Sequence, residues 1–232
     1  MIVAVLQARM SSTRLPGKVL AEVLGMPMIL RQIERLRRCS ELDEIVVATS
    51  VDRSDDGLAA ELSNAGVAVQ RGPLTDVAAR FALAIGAHPA DSLVRLTADC
   101  PLADHEVIDR VIREHLECGA DYSSNTLERT YPQGLDVECV RSDAFVRMLA
   151  LPLDADEREH VTMAIYRRPK EFTVHSVKQE DDHSLLRWTV DRPDDLDFVR
   201  TVYGRLHNTL PDFAQADILA LLEREPGLNH TN

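Results

Sequence analysis

Short apolar runs rich in β-branched residues alternate with longer segments of helical period through the first half of this sequence. Runs of the first kind predict strands, and segments of the second kind predict helices. Their alternation is typical of an α/β fold of three layers, in which helices cover both faces of a mostly parallel sheet. The predicted strands are Ile2–Leu6, Glu44–Thr49, Val67–Gln70, Ser92–Leu96 and Leu186–Val190, and the predicted helices are Pro27–Arg38, Ser54–Ala65, Thr75–Ala87 and Asp104–Cys118.

Residues with known preferences for helix ends stand at the boundaries of these helices. Pro27 suits a first helical position, and Ser54, Thr75 and Asp104 suit N-caps because their side-chain oxygens can accept from free backbone N–H groups. Gly66 and Gly119 suit helix ends, where a left-handed residue is often required.

The pattern changes after Gly119. Residues 120–180 combine strands and helices in mixed order, including a predicted strand at Leu135–Arg141 and a predicted helix at Arg158–Arg168. Further helices are expected at Asp194–Leu206 and Ala214–Glu223. Since no repeat, low-complexity segment or linker interrupts the chain, we expect one domain over residues 1–232, with an inserted lobe at approximately 120–180.

Composition excludes several classes of protein. The net charge is −12, from 26 basic and 38 acidic residues, which argues against nucleic-acid binding because that function needs a basic face. The four cysteines are far apart without a CxxC pair, as expected for free thiols in a reducing cytoplasm. The first apolar run ends at Gln7 and is too short for a signal peptide or a membrane span, so we expect a cytoplasmic protein without a membrane partner.

The loop at residues 7–18 directly follows the first predicted strand, where open α/β sheets bind their ligands. It carries three cations, Arg9, Arg14 and Lys18, and its backbone N–H groups can form a nest for an anion. Arginine can bind phosphate oxygens in bidentate fashion, and lysine supplies a compact charge. The loop also contains three hydroxyl side chains and a glycine that permits close approach, namely Ser11, Ser12, Thr13 and Gly17. We therefore predict a phosphate-binding loop, of neither the Walker A nor the GxGxxG type.

The string Ala8-Arg9-x-x-Ser12-x-Arg14-Leu15-Pro16-Gly17-Lys18 resembles the signature loop of the CMP-sugar synthetases, the CMP-Kdo and CMP-acylneuraminate cytidylyltransferases. The resemblance is greatest to their SpsF-type branch in bacterial polysaccharide biosynthesis. It extends over most of the chain, with matching segments near Arg71, Asp99, Pro132–Glu138, Glu157–Thr162 and Asp191–Leu196.

This resemblance implies a nucleotide-diphospho-sugar transferase-like, Rossmann-like fold and a Mg²⁺-dependent reaction of CTP with a small-molecule acceptor, releasing pyrophosphate. It also implies a homodimer formed through the inserted segment. Arg14 and Lys18 would be the catalytic residues that stabilise the β- and γ-phosphates and the departing pyrophosphate. The residues expected to bind the nucleotide are Ala8, Arg9, Ser11, Ser12, Thr13, Gly17 and Arg71.

Two aspartates are candidates for metal binding. Asp99 and Asp191 each begin an Asp-x-Pro sequence at the carboxyl end of a predicted strand, so both could face the loop. Mg²⁺ prefers one or two carboxylates together with phosphate oxygens. The alternative for Asp99 is a turn carboxylate, and the alternative for Asp191 is an acidic residue at the start of the next helix.

The acceptor site is the least determined by sequence. Tyr131, Asp136 and Glu138 lie in an SpsF-like segment, and we expect Asp136 and Glu138 to point the same way from one strand. They could bind sugar hydroxyls or a second Mg²⁺, or one could act as a base. His160 is a further candidate, with a surface or structural histidine as the alternative.

The sequence also departs from the CMP-Kdo enzymes. Those carry Gln-Gly-Asp-Glu-Pro around the metal aspartate, whereas this chain has Thr97-Ala98-Asp99-Cys100-Pro101. The acceptor is therefore left open between a 2-keto sugar acid, a sugar phosphate and a phosphonate. A nucleotide-binding module that has lost catalysis is a further alternative.

Overall fold

The protein is described here by a computed structural model covering residues 1–228. Its centre is a seven-stranded sheet in the order β5-β4-β1-β6-β8-β7-β9. Six strands share one direction, and β8 alone runs against them. The sheet strands are β1 Ile2–Gln7, β4 Glu44–Ser50, β5 Ala68–Gly72, β6 Ser92–Thr97, β7 Tyr122–Ser124, β8 Glu138–Arg141 and β9 Val174–Ser176, and a separate hairpin joins β2 Glu22–Val23 to β3 Met26–Pro27.

Helices cover both faces of the sheet, which confirms the predicted three-layer α/β fold. The side chains of β1 divide between the two faces, because Ala4 and Leu6 join one apolar core and Val3 and Val5 join the other. The helices are α1 Met28–Leu36, α2 Asp56–Asn64, α3 Val77–Ala87, α4 His105–Cys118, α5 Ser142–Leu149, α6 Ala155–Glu159, α7 Met163–Tyr166, α8 Pro193–Leu206 and α9 Gln215–Arg224. Helices α1, α2, α4, α8 and α9 supply the first core, and α3, α5 and α7 the second.

Residues 120–180, expected as an inserted lobe, contribute β7, β8 and β9 to the same sheet. The antiparallel β8 lies between β6 and β7, so this segment extends the central sheet on the side of β6. None of the helices between residues 1 and 228 combines the length and the apolar character that a membrane span requires.

Two predicted elements are wrong. Leu186–Val190 is not a strand of the sheet, because β8 occupies the place beside β6, and an isolated bridge pairs its Arg187 with Gln133. The expected helix Arg158–Arg168 is two short helices, α6 and α7, because the chain breaks at Val161, whose φ is 50°. The strand expected at Leu135–Arg141 begins only at Glu138.

Helix ends also differ from expectation in part. Asp104 is the N-cap of α4 as predicted and accepts from the backbone N–H groups of Glu106 and Val107. Asp76 caps α3 in place of Thr75. Ser54 lies in a 3-10 turn before α2, and Pro27 precedes α1 instead of opening it.

Candidate active site

The loop at residues 7–18 joins the carboxyl end of β1 to a 3-10 turn that begins at Lys18. Met10 organises this loop, because its carbonyl oxygen accepts from the N–H groups of Ser12 and Gly17, and its own N–H donates to Asp55 Oδ1 at 2.7 Å. Gly17 has a φ of 73°, a conformation that other residues rarely adopt. The left-handed turn at Gly17 therefore directs the next residue, Lys18, inward.

Lys18 is the buried centre of the site. Its side chain is 9% exposed, and its Nζ lies 3.2 Å from Asp99 Oδ2 and 3.0 Å from Asp191 Oδ1. The same ammonium donates to the carbonyl oxygen of Val190 at 2.6 Å. A buried ammonium requires such partners, since removing a charge from water is costly unless it is paired and hydrogen-bonded.

Asp191 is surrounded by cations. Its Oδ2 lies 3.0 Å from Arg14 and 3.1 Å from Arg187, while Oδ1 faces Lys18. Burial alone would raise the pKa of this carboxyl, but the hydrogen bond and charge of Lys18, reinforced by Arg187 and Arg14, hold the pKa below its usual value. Asp191 is therefore ionised at neutral pH.

Asp99 lies at the turn after β6, and two hydrogen bonds hold it in place. Its Oδ1 accepts from Thr97 Oγ1 at 2.6 Å, and its backbone oxygen accepts from Val190 N at 2.8 Å. The second bond ties this turn to the segment that precedes Asp191, although that segment is not a sheet strand. Burial raises the pKa of the adjacent Cys100 thiol well above its ordinary value, so Cys100 is not an activated nucleophile.

The two aspartates suit a divalent ion that a phosphorylated substrate helps to bind. Within residues 1–228, no cluster of three or more His, Cys, Asp or Glu side chains is placed to hold a metal by itself. Mg²⁺ commonly takes one or two carboxylates and completes its shell with phosphate oxygens and water. Asp99 and Asp191, both in contact with one ammonium, have the charge and proximity for this role, so the donor set fits Mg²⁺.

A cleft of about 330 Å³ lies beside these residues. Most residues predicted for the site line this cleft, from both the loop and the opposite side: Ala8, Arg9, Ser12, Thr13, Arg14, Lys18, Asp99, His160 and Asp191. Six further residues also line the cleft. Gln7 and Glu159 belong to segments singled out from sequence, the loop at residues 7–18 and Glu157–Thr162, whereas Val19, Arg95, Thr97 and Ala98 were not predicted as site residues. Arg95 had a detectable signal, since a charged residue inside the apolar run Ser92–Leu96 is unusual.

Other predicted residues do not line the cleft. Arg71 donates to the carbonyl oxygens of Ser50 and Asp52 and pairs with Asp56 at 2.7 Å. Tyr131 is buried at 2% exposure. Ser11 is exposed on the loop, and Gly17 acts through the turn that positions Lys18. The nucleotide-binding roles expected for Arg71 and Ser11 therefore stay predictions.

Asp136 and Glu138, expected to act together, have separate environments. Asp136 makes a bidentate ion pair with Arg129 at 2.6 and 2.9 Å and precedes β8. Glu138 lines a second cavity of about 340 Å³, next to the first. Its carboxylate accepts from Arg95, Tyr122 and Thr162.

Comparison with known proteins agrees with this architecture. A family model described as Cytidylyltransferase matches residues 3–217. The chain is 31% identical to the spore coat polysaccharide biosynthesis protein SpsF of Bacillus subtilis (strain 168), over 97% of this chain and 95% of that protein.

One further relative is similar to part of the chain, and one solved structure is similar to the whole fold. A 3-deoxy-manno-octulosonate cytidylyltransferase of Geobacter metallireducens is 34% identical over 48% of this chain and 43% of that enzyme. The structure of a cytidylyltransferase from Leptospira borgpetersenii superposes with a TM-score of 0.93 and 26% identity, covering 100% of this chain and 97% of that one.

Proposed function

The chain belongs to the cytidylyltransferase family and is a nucleotidyltransferase, and from that premise we propose that it transfers CMP from CTP to a sugar acid or related acceptor, with Mg²⁺, in surface polysaccharide biosynthesis. The observation that carries this proposal is the position of Lys18 Nζ between Asp99 and Asp191, at the base of a loop that also presents Arg9 and Arg14 to the cleft. Cations for a triphosphate and carboxylates for a divalent ion thus meet in one place.

The proposed reaction is an in-line displacement at the α-phosphorus of CTP. An acceptor hydroxyl oxygen forms the new bond to phosphorus, the bond to the oxygen bridging the α- and β-phosphates breaks, and pyrophosphate leaves. The hydroxyl proton passes to solvent. Catalysis of this kind depends on positioning and charge neutralisation. Arg14 and Lys18 would neutralise the β- and γ-phosphates and the charge that develops on pyrophosphate.

Asp99 and Asp191 would hold Mg²⁺, which when bound neutralises phosphate charge and lowers the pKa of the attacking hydroxyl. Asp99 is anchored for this task by Thr97 and by the backbone of Val190. Asp191 is anchored by Arg187, which also pairs with Asp195 at the start of α8. Both carboxylates are therefore held by neighbours before any substrate arrives.

The names of two relatives support the proposed acceptor class. The name of SpsF refers to spore coat polysaccharide biosynthesis, and the Geobacter enzyme is named for cytidylyl transfer to 3-deoxy-manno-octulosonate, a sugar acid. A sugar phosphate or a phosphonate would suit the same in-line chemistry.

The direct test is pyrophosphate release from CTP and Mg²⁺ in the presence of sugar acids, sugar phosphates and phosphonates. We expect release with at least one acceptor and none when Mg²⁺ is chelated. Absence of release with every acceptor, together with absence of CTP binding by calorimetry, would refute the proposal.

The nucleotide is tested separately by thermal unfolding with CTP, UTP, GTP or ATP. A ligand that binds only the folded protein at 100 times its Kd stabilises it by about 2.7 kcal/mol. We expect a shift of this order with CTP and a much smaller one with the other three. Equal shifts with all four nucleotides would contradict CTP as the specific donor.

A further inference from the structure

Two cavities meet at a common wall formed by Arg95 and His160. The first is the cleft of about 330 Å³ that contains the loop cations and the two aspartates. The second, of about 340 Å³, is lined in addition by Thr126, Leu127, Glu138, Thr162 and Tyr166. The second cavity therefore has the mixed apolar and hydroxyl lining of a small-molecule site, without any of the phosphate-loop residues.

Arg95 is a buried cation fixed at one end. It projects from β6 with 13% of its side chain exposed, and its Nη1 donates to Glu138 Oε1. Glu138 is itself held, because its Oε2 accepts from Tyr122 Oη at 2.8 Å and from the hydroxyl of Thr162. With its acceptor oxygens engaged, Glu138 is a support for Arg95 and not a free base.

The remaining donors of Arg95 are scarcely used. A guanidinium has five N–H groups. One reaches Glu138, and Nη2 lies 3.4 Å from Gln7 Oε1, near the limit for a hydrogen bond. Nε is buried, and no atom within residues 1–228 accepts from it. Because Nε is sealed from solvent, the donors left for a ligand are the N–H groups of Nη1 and Nη2 that these two contacts do not use.

The support for Arg95 lies on the side of the second cavity. Glu138, Thr162 and Tyr166 line that cavity and not the first. The donor triphosphate has its own cations in Arg9, Arg14 and Lys18. The charge of Arg95 is therefore placed for a second ligand beside the nucleotide.

We propose that Arg95 binds an acid group of the acceptor, a carboxylate or a phosphate, and so selects acidic over neutral acceptors. This inference rests on the proposed cytidylyl transfer and names a residue that selects its second substrate. A planar guanidinium already fixed by Glu138 matches an acid group in bidentate geometry, and such charge-assisted bonds are about twice as strong as neutral ones.

The test compares each acid with its neutral methyl ester. The probes are 3-deoxy-manno-octulosonate, N-acetylneuraminate, both methyl esters, and glucose 6-phosphate beside glucose, which has the same anomeric hydroxyl, with pyrophosphate release measured at saturating CTP and Mg²⁺. Comparison of the carboxylate pairs with the phosphate pair shows which of the two acid groups Arg95 binds. For wild type we expect kcat/KM at least about 100-fold higher with an acid than with its neutral partner.

The decisive variant is Arg95→Met. We expect it to lower kcat/KM for the acid about 100-fold, mainly through KM, and to leave the KM for CTP within threefold. The ratio of acid to neutral acceptor should fall toward one. Arg95→Lys keeps the charge without the planar group. Its ratio of kcat/KM for acid over neutral acceptor should lie between those of wild type and Arg95→Met. Arg141→Met, at an exposed arginine paired with Asp143, is the matched control and should keep the wild-type ratio.

Loss of Arg95 leaves Glu138 buried without its ion pair, so folding needs its own control. The double variant Arg95→Met/Glu138→Met removes both charges together, which buried pairs often tolerate. It too should lose the discrimination between acid and neutral acceptors.

The outcomes separate this inference from the proposed function. A wild-type enzyme that uses neutral partners as readily as acids, or an unchanged ratio in folded Arg95→Met, overturns the inference and leaves cytidylyl transfer intact. A wild-type protein that binds CTP but releases pyrophosphate with none of the probes overturns both the acid-acceptor proposal and the role of Arg95.

Discussion

The ammonium of Lys18 lies between Asp99 and Asp191, two carboxylates that are 92 residues apart in sequence, at 3.2 and 3.0 Å. One residue of the phosphate loop thus contacts both predicted metal ligands. The loop and the two aspartates form a single electrostatic unit, so substitutions within it should affect catalysis together.

Replacing Lys18 by methionine should reduce kcat about 10²–10³-fold, because one preorganised positive charge near the leaving group is lost. Pyrophosphate release at saturating CTP and Mg²⁺ measures this effect. Lys178→Met, at an exposed lysine paired with Glu128, is the control and should retain full activity. Wild-type turnover in folded Lys18→Met would refute the catalytic role of Lys18.

Asp99→Asn tests the metal site with little change in shape. We expect turnover to fall at least about 100-fold and the Mg²⁺ concentration for half-maximal rate to rise, because one carboxylate ligand becomes a neutral amide. Lys18 retains Asp191 and the Val190 carbonyl as partners, so the fold should persist. The measurement is a Mg²⁺ titration of pyrophosphate release. An unchanged titration would show that Asp99 does not hold the metal.

Gly134→Ala should destabilise the protein through a backbone clash. Gly134 has a φ of 110°, and a Cβ there would lie 2.7 Å from Thr189 N and from the carbonyl carbon of Trp188. Backbone strain and overpacking each cost about 1–3 kcal/mol. We expect a loss of about 3 kcal/mol in the free energy of unfolding, measured in urea.

Gly204→Ala, within α8, is the matched control for that measurement, because a Cβ there meets nothing within 4 Å. It should raise stability by about 0.4–1 kcal/mol. Equal effects of the two substitutions would contradict the close approach at Gly134. That approach matters for the site because the segment against which Gly134 packs leads directly to Asp191.

Local sequence signals were sufficient for much of the fold and for the central part of the site. The periodicity of Ile2–Leu6 and of Asp104–Cys118 depends on local burial, and both segments form the predicted elements. Lys18 and Asp99 follow strands of the sheet, so strand order alone brings them to one edge. A local pattern therefore placed these two residues in the cleft.

Features that depend on distant partners could not be predicted in this way. Leu186–Val190 reads as a strand, but its backbone pairs with Gln133 and Asp99, and β8 occupies the sheet position beside β6. The support of Arg95 by Glu138 links residues 43 positions apart. This pair forms because β8 runs antiparallel beside β6, and no residue close to Arg95 or Glu138 in sequence predicts that pairing.

His115 makes stability depend on pH. Its ring lies between Ser92 and Ser123, and burial, helped by the charges of Arg141 and His175 and opposed by Asp121, lowers its pKa to about 4. Because the unfolded chain takes up this proton near pH 6.5 and the folded chain only near pH 4, stability falls as pH falls between these values. At about 1.4 kcal/mol per pH unit, the loss is on the order of 3 kcal/mol.

Urea unfolding at pH 7.0, 6.0 and 5.0 measures the pH dependence due to His115. His115→Gln should make the profile less steep over this range, since glutamine does not titrate; His207, whose pKa burial also lowers, contributes remaining slope. A wild-type profile that is already flat, or a slope that is unchanged in the variant, would contradict this assignment.

Arg80 and Arg35 are both buried arginines, but only Arg35 has hydrogen-bond acceptors. Arg35 donates to the carbonyl oxygens of Ala103 and Phe213, whereas no atom within residues 1–228 accepts from any guanidinium nitrogen of Arg80. An unsatisfied buried polar group costs about 1–3 kcal/mol. Arg80→Met should therefore raise the free energy of unfolding in urea by about that amount, and Arg35→Met should lower it. If Arg80→Met is destabilised as Arg35→Met is, its guanidinium has a partner and this account of Arg80 fails.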